Sequence, residues 1–313
     1  MTVPSPDYHD PRLTEQRNPR TQRIDVAATL EIVDLLNAED ASVAPAVHAV
    51  RAELARAVDL VVEAFRLGGR LIYVGAGTSG RLGVLDASEC PPTFGTPAEM
   101  VVGMIAGGYA ALVKSSEGAE DDVNAGMAAM DQAGVAPPDF VLGIAASGTT
   151  PFVRAALSRA QTIGATTGLV CCSDPPRVLV DTCDVLILPK VGPEALTGST
   201  RMKAGTATKL VLNTLSTGAM IRMGRAYGNL MVDLTALSDK LRDRGERIVM
   251  ECCGVDRVAA RAAIVAADGS VKLAIVMVKL GVGKAEAERR LTAAGGFVRR
   301  AAGDPPPVTD VIR

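Results

Sequence analysis

The run Leu71-Ile-Tyr-Val74, followed at once by Gly75-Ala-Gly-Thr-Ser-Gly80, constrains this chain more than any other stretch. The apolar, β-favouring residues read as a buried strand. Three glycines in the next six positions permit the tight turn and close backbone approach that a bound anion needs. Ser79 is a natural helix cap, and a helix opening there aims its free N–H groups and positive dipole end into the loop. Gly77, Thr78 and Ser79 are therefore candidate phosphate ligands. The spacing Gly75-x-Gly77-x-x-Gly80 also fits a dinucleotide fingerprint, which asks for an acidic residue about 20 positions on, at the end of the second strand. That second strand, Met100–Ile105, instead runs into Ala-Gly-Gly-Tyr with no acid, and the loop is hydroxyl-rich for a pyrophosphate turn. We read a phosphate monoester site.

From Arg70 onward short apolar runs alternate with helical stretches, which predicts a doubly wound α/β fold around a parallel sheet covered on both faces. Five strands are expected at Leu71–Val74, Met100–Ile105, Phe140–Ile144, Thr167–Cys171 and Val185–Leu188. Helices follow Ser79 and span Val123–Ala133 and Pro151–Gln161. In such sheets ligands bind at the carboxyl ends of the strands, where strand order reverses. The loop after the third strand, Ala146-Ser-Gly-Thr-Thr-Pro151, is a second hydroxyl-rich turn into a helix, with Pro151 suited to a first helical position. Ser147, Gly148, Thr149 and Thr150 exceed what one cap requires and join the candidate phosphate ligands.

Two further loops carry charge. In Ser115-Ser-Glu-Gly-Ala-Glu-Asp-Asp122, Glu117 and Glu120 share a face if the segment is helical, although acids here would equally favour the dipole of the following helix. Gly192–Thr206 leads into a long helix ending near Gly224, with Ser199 and Thr200 as caps. Arg201 and Lys203 place positive charge where a helix dipole does not favour it, which points either to an anionic ligand or to a solvated basic turn. Ser199, Thr200 and Lys203 are the further candidate contacts.

The flanks read as helical. The first ~24 residues are expected to be extended, with Thr14-Glu-Gln-Arg-Asn-Pro19 either a free tail or a strap reaching a neighbour. Helices are expected over Ile24–Glu39 and Pro45–Leu67, the second stopping at Gly68-Gly69. Beyond Arg225, glycines at 254, 269, 283 and 295–296 punctuate apolar-periodic runs, with Asp256 and Ser270 as caps, so three short helices should pack as a small bundle. Asp304-Pro-Pro-Pro307 should end ordered structure. The expected division is an N-terminal tail and helices over 1–55, a ligand-binding α/β domain over 56–225 and a C-terminal helical domain over 226–313.

Composition excludes several classes. With a net charge of −2, 3% aromatic residues and no Trp, the chain offers neither a basic surface nor a stacking platform for nucleic acid. No apolar run approaches the ~18 residues of a membrane span, and the polar, Pro-rich opening is unlike a secretory segment, so a cytoplasmic protein is expected. Six cysteines without Cys-x-x-Cys, and only two histidines, leave little material for a structural metal site or a histidine triad. Neither metal nor cofactor is expected, and acid–base work falls to Glu, Asp, Lys or Tyr.

Read together, Gly75–Gly95, Glu117-Gly-Ala-Glu-Asp121, Ala145-Ala-Ser-Gly148, Gly198-Ser-Thr-Arg-Met-Lys-Ala-Gly-Thr206, Gly228-Asn-Leu-Met-Val-Asp233 and Gly295-Gly-Phe-Val-Arg299 closely resemble the bacterial N-acetylmuramic acid 6-phosphate etherases, from roughly Thr14 to Arg300. The resemblance implies a sugar-isomerase-type (SIS) domain with a small C-terminal helical domain, usually as a homodimer. It implies cleavage of the D-lactyl ether of N-acetylmuramate 6-phosphate to N-acetylglucosamine 6-phosphate and D-lactate, in peptidoglycan recycling. The family's two catalytic glutamates fall on Glu89 and Glu120, and Thr149 stands where the family more often has Arg. Two carboxylates can run such an elimination, one as base at C2 and one as acid on the leaving lactate. The rival readings are a SIS-type sugar-phosphate sensor, which needs no converging acids, and an amino-sugar-phosphate isomerase, which needs one base. If Ser79 to Glu89 is one straight helix, Glu89 lies about 15 Å from the phosphate end, farther than a hexose phosphate reaches from phosphorus to C3. Either the helix breaks, at Gly83 for example, or Glu89 serves the site of a partner subunit. Pro91-Pro92 is expected to end the helix.

Overall fold

The computed structural model describes residues 10, 12–114, 116–234 and 239–305. They form two compact units: one takes in residues up to Ser88 together with Ala98–Ser216, the other Glu89–Pro97 and Thr217 onward.

The first unit opens with α1 (Thr29–Asp40), α2 (Val43–Ala49) and α3 (Arg51–Arg66). The helix expected over Ile24–Glu39 is thus a short 3-10 turn at Ile24–Val26 followed by α1 from Thr29. The helix expected over Pro45–Leu67 is broken at Val50, whose φ/ψ of −102°/23° leaves the helical basin. The sheet follows as β1 (Leu71–Gly75), β2 (Val101–Ile105), β3 (Phe140–Ile144), β4 (Thr166–Val170) and β5 (Val185–Ile187). Its helices are α4 (Gly77–Phe94), α5 (Val123–Gln132), α6 (Pro151–Ile163), α7 (Arg177–Thr182) and α8 (Lys203–Arg222). All five strands are parallel, in the order β2-β1-β3-β4-β5. Every residue of β1 and β3 is buried, because helices cover both faces of a parallel sheet, and the strands read as unbroken apolar runs. Ile72, Val74, Val141 and Leu169 pack with Phe152 and Leu157 of α6 in one apolar core.

Gly75 is level with Ile105 on one side and with Ile144 on the other, so the carboxyl ends of β1, β2 and β3 are flush. β2 leaves β1 in one direction and β3 in the other. The loops after β1 and β3 therefore open at the point where strand order reverses, as expected. Gly80 lets α4 lie close over the strands: a Cβ there would meet the Gly75 carbonyl at 2.8 Å and the Ile105 side chain at 2.6 Å.

α4 does not stop at Pro91-Pro92. It runs unbroken from Gly77 to Phe94 with both prolines inside it. Two successive positions then donate no backbone hydrogen bond, a cost of several kcal/mol that burial of Cys90 and Phe94 around them helps to offset.

Among the described residues the second unit holds a short hairpin, β6 (Ala226–Tyr227) with β7 (Leu230–Met231), and five helices rather than the expected three. They are α9 (Asp239–Cys253), α10 (Arg257–Ala266), α11 (Val271–Leu280), α12 (Lys284–Ala293) and α13 (Val298–Ala302). Asp256 and Ser270 cap α10 and α11 as expected, accepting from the N–H groups of Ala259 and Leu273. α11 ends at Gly281 in the left-handed region, two residues before the predicted stop. Asp304 is fastened by Lys279 at 2.9 Å and by the Tyr227 hydroxyl. The rest of the predicted C-terminal break, Pro306-Pro307, lies outside the described residues, as does the start of the N-terminal tail.

Candidate functional site

At the carboxyl ends of β1 and β3 the first unit encloses a cleft of about 370 Å³. Gly77, Thr78 and Ser79 line it from the start of α4; Ser147, Thr149 and Thr150 line it from the turn before α6; Gly198 and Thr200 close a further wall. Two helix starts thus face one small space, each bringing unsatisfied N–H groups and a positive dipole end.

The second turn is shaped by its own hydroxyls. Ser147 Oγ and Thr149 Oγ1 lie 2.9 Å apart, and Ser147 Oγ also accepts the Thr149 N–H at 3.3 Å. Gly148, with φ +70°, forms the back of the turn, and any Cβ there would collide with Pro175 at 2.8 Å. Thr150 stands at the N-cap of α6 without making a side-chain cap bond, and Pro151 occupies the first turn. Its hydroxyl remains available to the cleft rather than being spent on the helix.

Glu120 reaches the same cleft from a 3-10 turn, Ala119–Asp121, with Asp121 beside it. The acidic cluster divides its labour by position. Asp122 caps α5, accepting the Ala125 N–H at 2.8 Å, while Glu120 and Asp121 are left on the cleft wall. Glu117 lines an adjoining cavity instead. Glu89 is exposed on α4, ten residues beyond Ser79 in the same unbroken helix, so about 15 Å further along its axis. A break at Gly83 does not occur.

Ser199 and Lys203 are not on this wall. The Ser199 N–H turns back to the Leu196 carbonyl at 2.9 Å. Lys203, expected to offer its charge to a ligand, is buried, with Nζ 2.6 Å from Glu39 Oε2. The misplaced charge at the start of α8 is balanced by carboxylates, not awaiting one: Glu39 also binds Arg20 at 2.6 Å, and Glu194 accepts the N–H groups of Lys203 and Ala204 at 2.9 Å each. Burial pushes Glu39 upward, but the hydrogen bonds from Lys203, Arg20 and Asn18 prevail and hold its pKa below the usual range. For Glu194 burial prevails over the two N–H bonds, and its pKa is raised.

Arg12 and Glu15 also line the cleft, and sequence reading missed both. The segment that carries them is fastened to its own unit. Thr14 donates its N–H to Ser173 and accepts from the Gly198 N–H, Asn18 binds the Pro193 carbonyl, and Thr21 binds the Ala195 carbonyl at 2.7 Å. The only hint was the polar run Thr14–Asn18 ahead of the first helices. A second network ties α4 to β1 and α8, where Asp86 accepts from Tyr73 at 2.8 Å and from Asn213 at 2.7 Å and Ser216 at 3.2 Å.

Comparison with known proteins shows which family the chain resembles. The family model described as the glucokinase regulatory protein N-terminal SIS domain matches residues 53–161. An N-acetylmuramic acid 6-phosphate etherase of Mesorhizobium japonicum is 51% identical over 293 residues, covering 94% of this chain and 95% of its own. One from Aeromonas hydrophila is 50% identical, over 91% of this chain and 96% of its own. Among solved structures, a protein of Escherichia coli CFT073 is 18% identical, with a TM-score of 0.47 over 65% of this chain and 97% of that one. At half identity over nearly its whole length, the chain belongs to the N-acetylmuramic acid 6-phosphate etherase family.

Proposed function

We propose that this chain cleaves the D-lactyl ether of N-acetylmuramate 6-phosphate, releasing D-lactate and N-acetylglucosamine 6-phosphate, as a step in recycling cell-wall amino sugars. The observation that carries this reading is the hydroxyl-lined cleft with Glu120 on its wall, in a chain half identical to an etherase over 94% of its length.

The phosphate binds between the two turns, accepting hydrogen bonds from Thr78, Ser79, Ser147, Thr149 and Thr150 and from the backbone at Gly77, with Thr200 closing the wall; Gly148, whose N–H is held by the Ala145 carbonyl, shapes the second turn rather than donating. Opening of the sugar ring gives an aldehyde that acidifies the C2 proton. Glu120 removes that proton, the C3–O bond breaks, and Glu89, in its acid form, protonates the departing lactate oxygen. Water activated by the resulting Glu89 carboxylate then adds to C3 of the unsaturated intermediate, and a proton returns to C2, so that hydroxyl replaces ether.

The active assembly in this reading is a homodimer in which Glu89 of each chain serves the partner's cleft. The uninterrupted α4 supports it, because a straight helix carries Glu89 away from the phosphate loop at its own start. A cytoplasmic setting suits a chain whose six cysteines form no disulfide. The test is direct: purified protein is incubated with N-acetylmuramate 6-phosphate and D-lactate is measured. Binding without lactate release would make the protein a sugar-phosphate sensor instead.

A further inference from the structure

The proposed substrate carries two anions, and the hydroxyl loops account for one of them. The second is the lactyl carboxylate, attached to the oxygen that leaves. A second cavity, of about 330 Å³, adjoins the cleft, and Ala76, Gly77 and Glu120 line both. A ligand with its phosphate at Thr78 and Ser79 and its reacting carbons beside Glu120 therefore extends into this second space.

Among the described residues, Arg81 is the one cation lining it. Four residues after Gly77 on α4, it projects from the same helix face. Nε donates to the Leu112 carbonyl at 2.9 Å and Nη2 to the Ala111 carbonyl at 2.7 Å. These two bonds hold the guanidinium plane without cancelling its charge, and no carboxylate among the described residues lies within ion-pair distance of it. Three of its five N–H donors are left for a ligand. Arg12, the cation of the neighbouring cleft, is in a different position, since Asp10 meets its guanidinium from 2.5 Å. Glu117 and Glu120 lie on the rim of the Arg81 cavity and are exposed. Against such an acidic rim a substrate carboxylate is repelled unless it meets a cation directly, and Arg81 is held in place to do so.

We propose that Arg81 is the receptor for the lactyl carboxylate, distinguishing the 3-ether substrate from sugar phosphates that lack the group. This rests on the etherase reading above. A carboxylate held there places the leaving oxygen between Glu120 and a fixed positive charge, and preorganised charge near a departing oxyanion favours bond breaking.

The experiment compares two ligands in Arg81→Gln. The kcat/KM for N-acetylmuramate 6-phosphate is expected to fall about 10- to 100-fold, as for loss of a charged hydrogen-bonded contact, while the inhibition constant of N-acetylglucosamine 6-phosphate stays within about twofold. Arg81→Lys, which keeps the charge, should recover part of the loss. Equal weakening of both ligands means that Arg81 only ties α4 to the Ala111 turn, and no change in either means that it contacts nothing; each result overturns the inference. A parallel measurement needs no variant. With N-acetylglucosamine 6-phosphate bound, the parent protein should bind D-lactate at least about tenfold more tightly than D-lactamide, and equal binding overturns the proposal. A parent protein that releases no D-lactate from the muramate overturns the etherase reading itself, and the Arg81 assignment with it.

Discussion

The two ends of the parallel sheet treat polar groups in opposite ways. At the amino end Arg70, just before β1, and Asp139, just before β3, form an ion pair at 2.7 Å. Asp139 is 3% exposed and also accepts the backbone N–H groups of Arg70 and Ala136, while the Arg70 guanidinium finds the Ala133 and Gly134 carbonyls. Four of the five Arg70 N–H groups are thus spent on the protein itself. At the carboxyl end, hydroxyls, helix starts and the Glu120 carboxylate face a cleft with few partners beyond one another. One end spends its polar groups on holding strands together, and the other reserves them. A functional edge is recognisable by the donors and acceptors the fold declines to satisfy.

That contrast can be broken by exchanging what each end should lose. The largest effect belongs to the acids: Glu120→Gln or Glu89→Gln should lower kcat about a hundred- to ten-thousand-fold with little change in thermal stability, measured by lactate release beside a melting curve. The same pair tests the shared site. Mixing the two inactive variants as exchanged dimers should restore about a quarter of parental activity if Glu89 serves the partner chain, since half the dimers would then hold one intact site. No restoration places both acids in one chain's site. Next is the amino end, where Asp139→Asn leaves Arg70 unpaired and should cost about 3 kcal/mol in denaturant unfolding while leaving KM unaltered. Smaller again, Ser147→Ala should raise KM about tenfold through one lost bond to the phosphate, with a stability loss of about 1 kcal/mol from the turn bonds the hydroxyl also makes.

The smallest effect is one of pH. Burial pushes Asp139 upward, but the hydrogen bonds from Arg70 and the backbone prevail, so its pKa in the folded state lies below the usual value. A carboxyl depressed on folding stabilises fully above its unfolded pKa and loses that contribution as pH falls through the folded one. Unfolding midpoints of the parent should therefore drop on acidification below the ordinary Asp range. Asp139→Asn should show a shallower drop, and equal slopes would remove the amino-end pair from the explanation.

How much was legible beforehand follows from where burial is two-sided. β1 and β3, covered on both faces, announce themselves as apolar runs, and the two hydroxyl turns stand out because they interrupt those runs with glycine, serine and threonine. The passage of α4 through Pro91-Pro92 was not legible, since local chemistry argues for a stop and only tertiary burial argues for continuation. Lys203 misleads for a related reason. A lysine at a helix start looks free until Glu39, 164 residues earlier in the chain, is known to meet it. Arg12 and Glu15 escape notice because an unpatterned segment gives no period to place it by, and its anchors at Ser173, Pro193 and Ala195 are distant in sequence.

Those anchors have a bearing on assembly. The cleft wall is sewn together from residues 12–21 and the stretch around 193–200, with Asn18 and its partner carbonyl 175 positions apart. A nascent chain emerging from the ribosome has already exposed Arg12 and Glu15 long before Pro193 exists to receive them, so this part of the pocket closes late, after the strands between have been made.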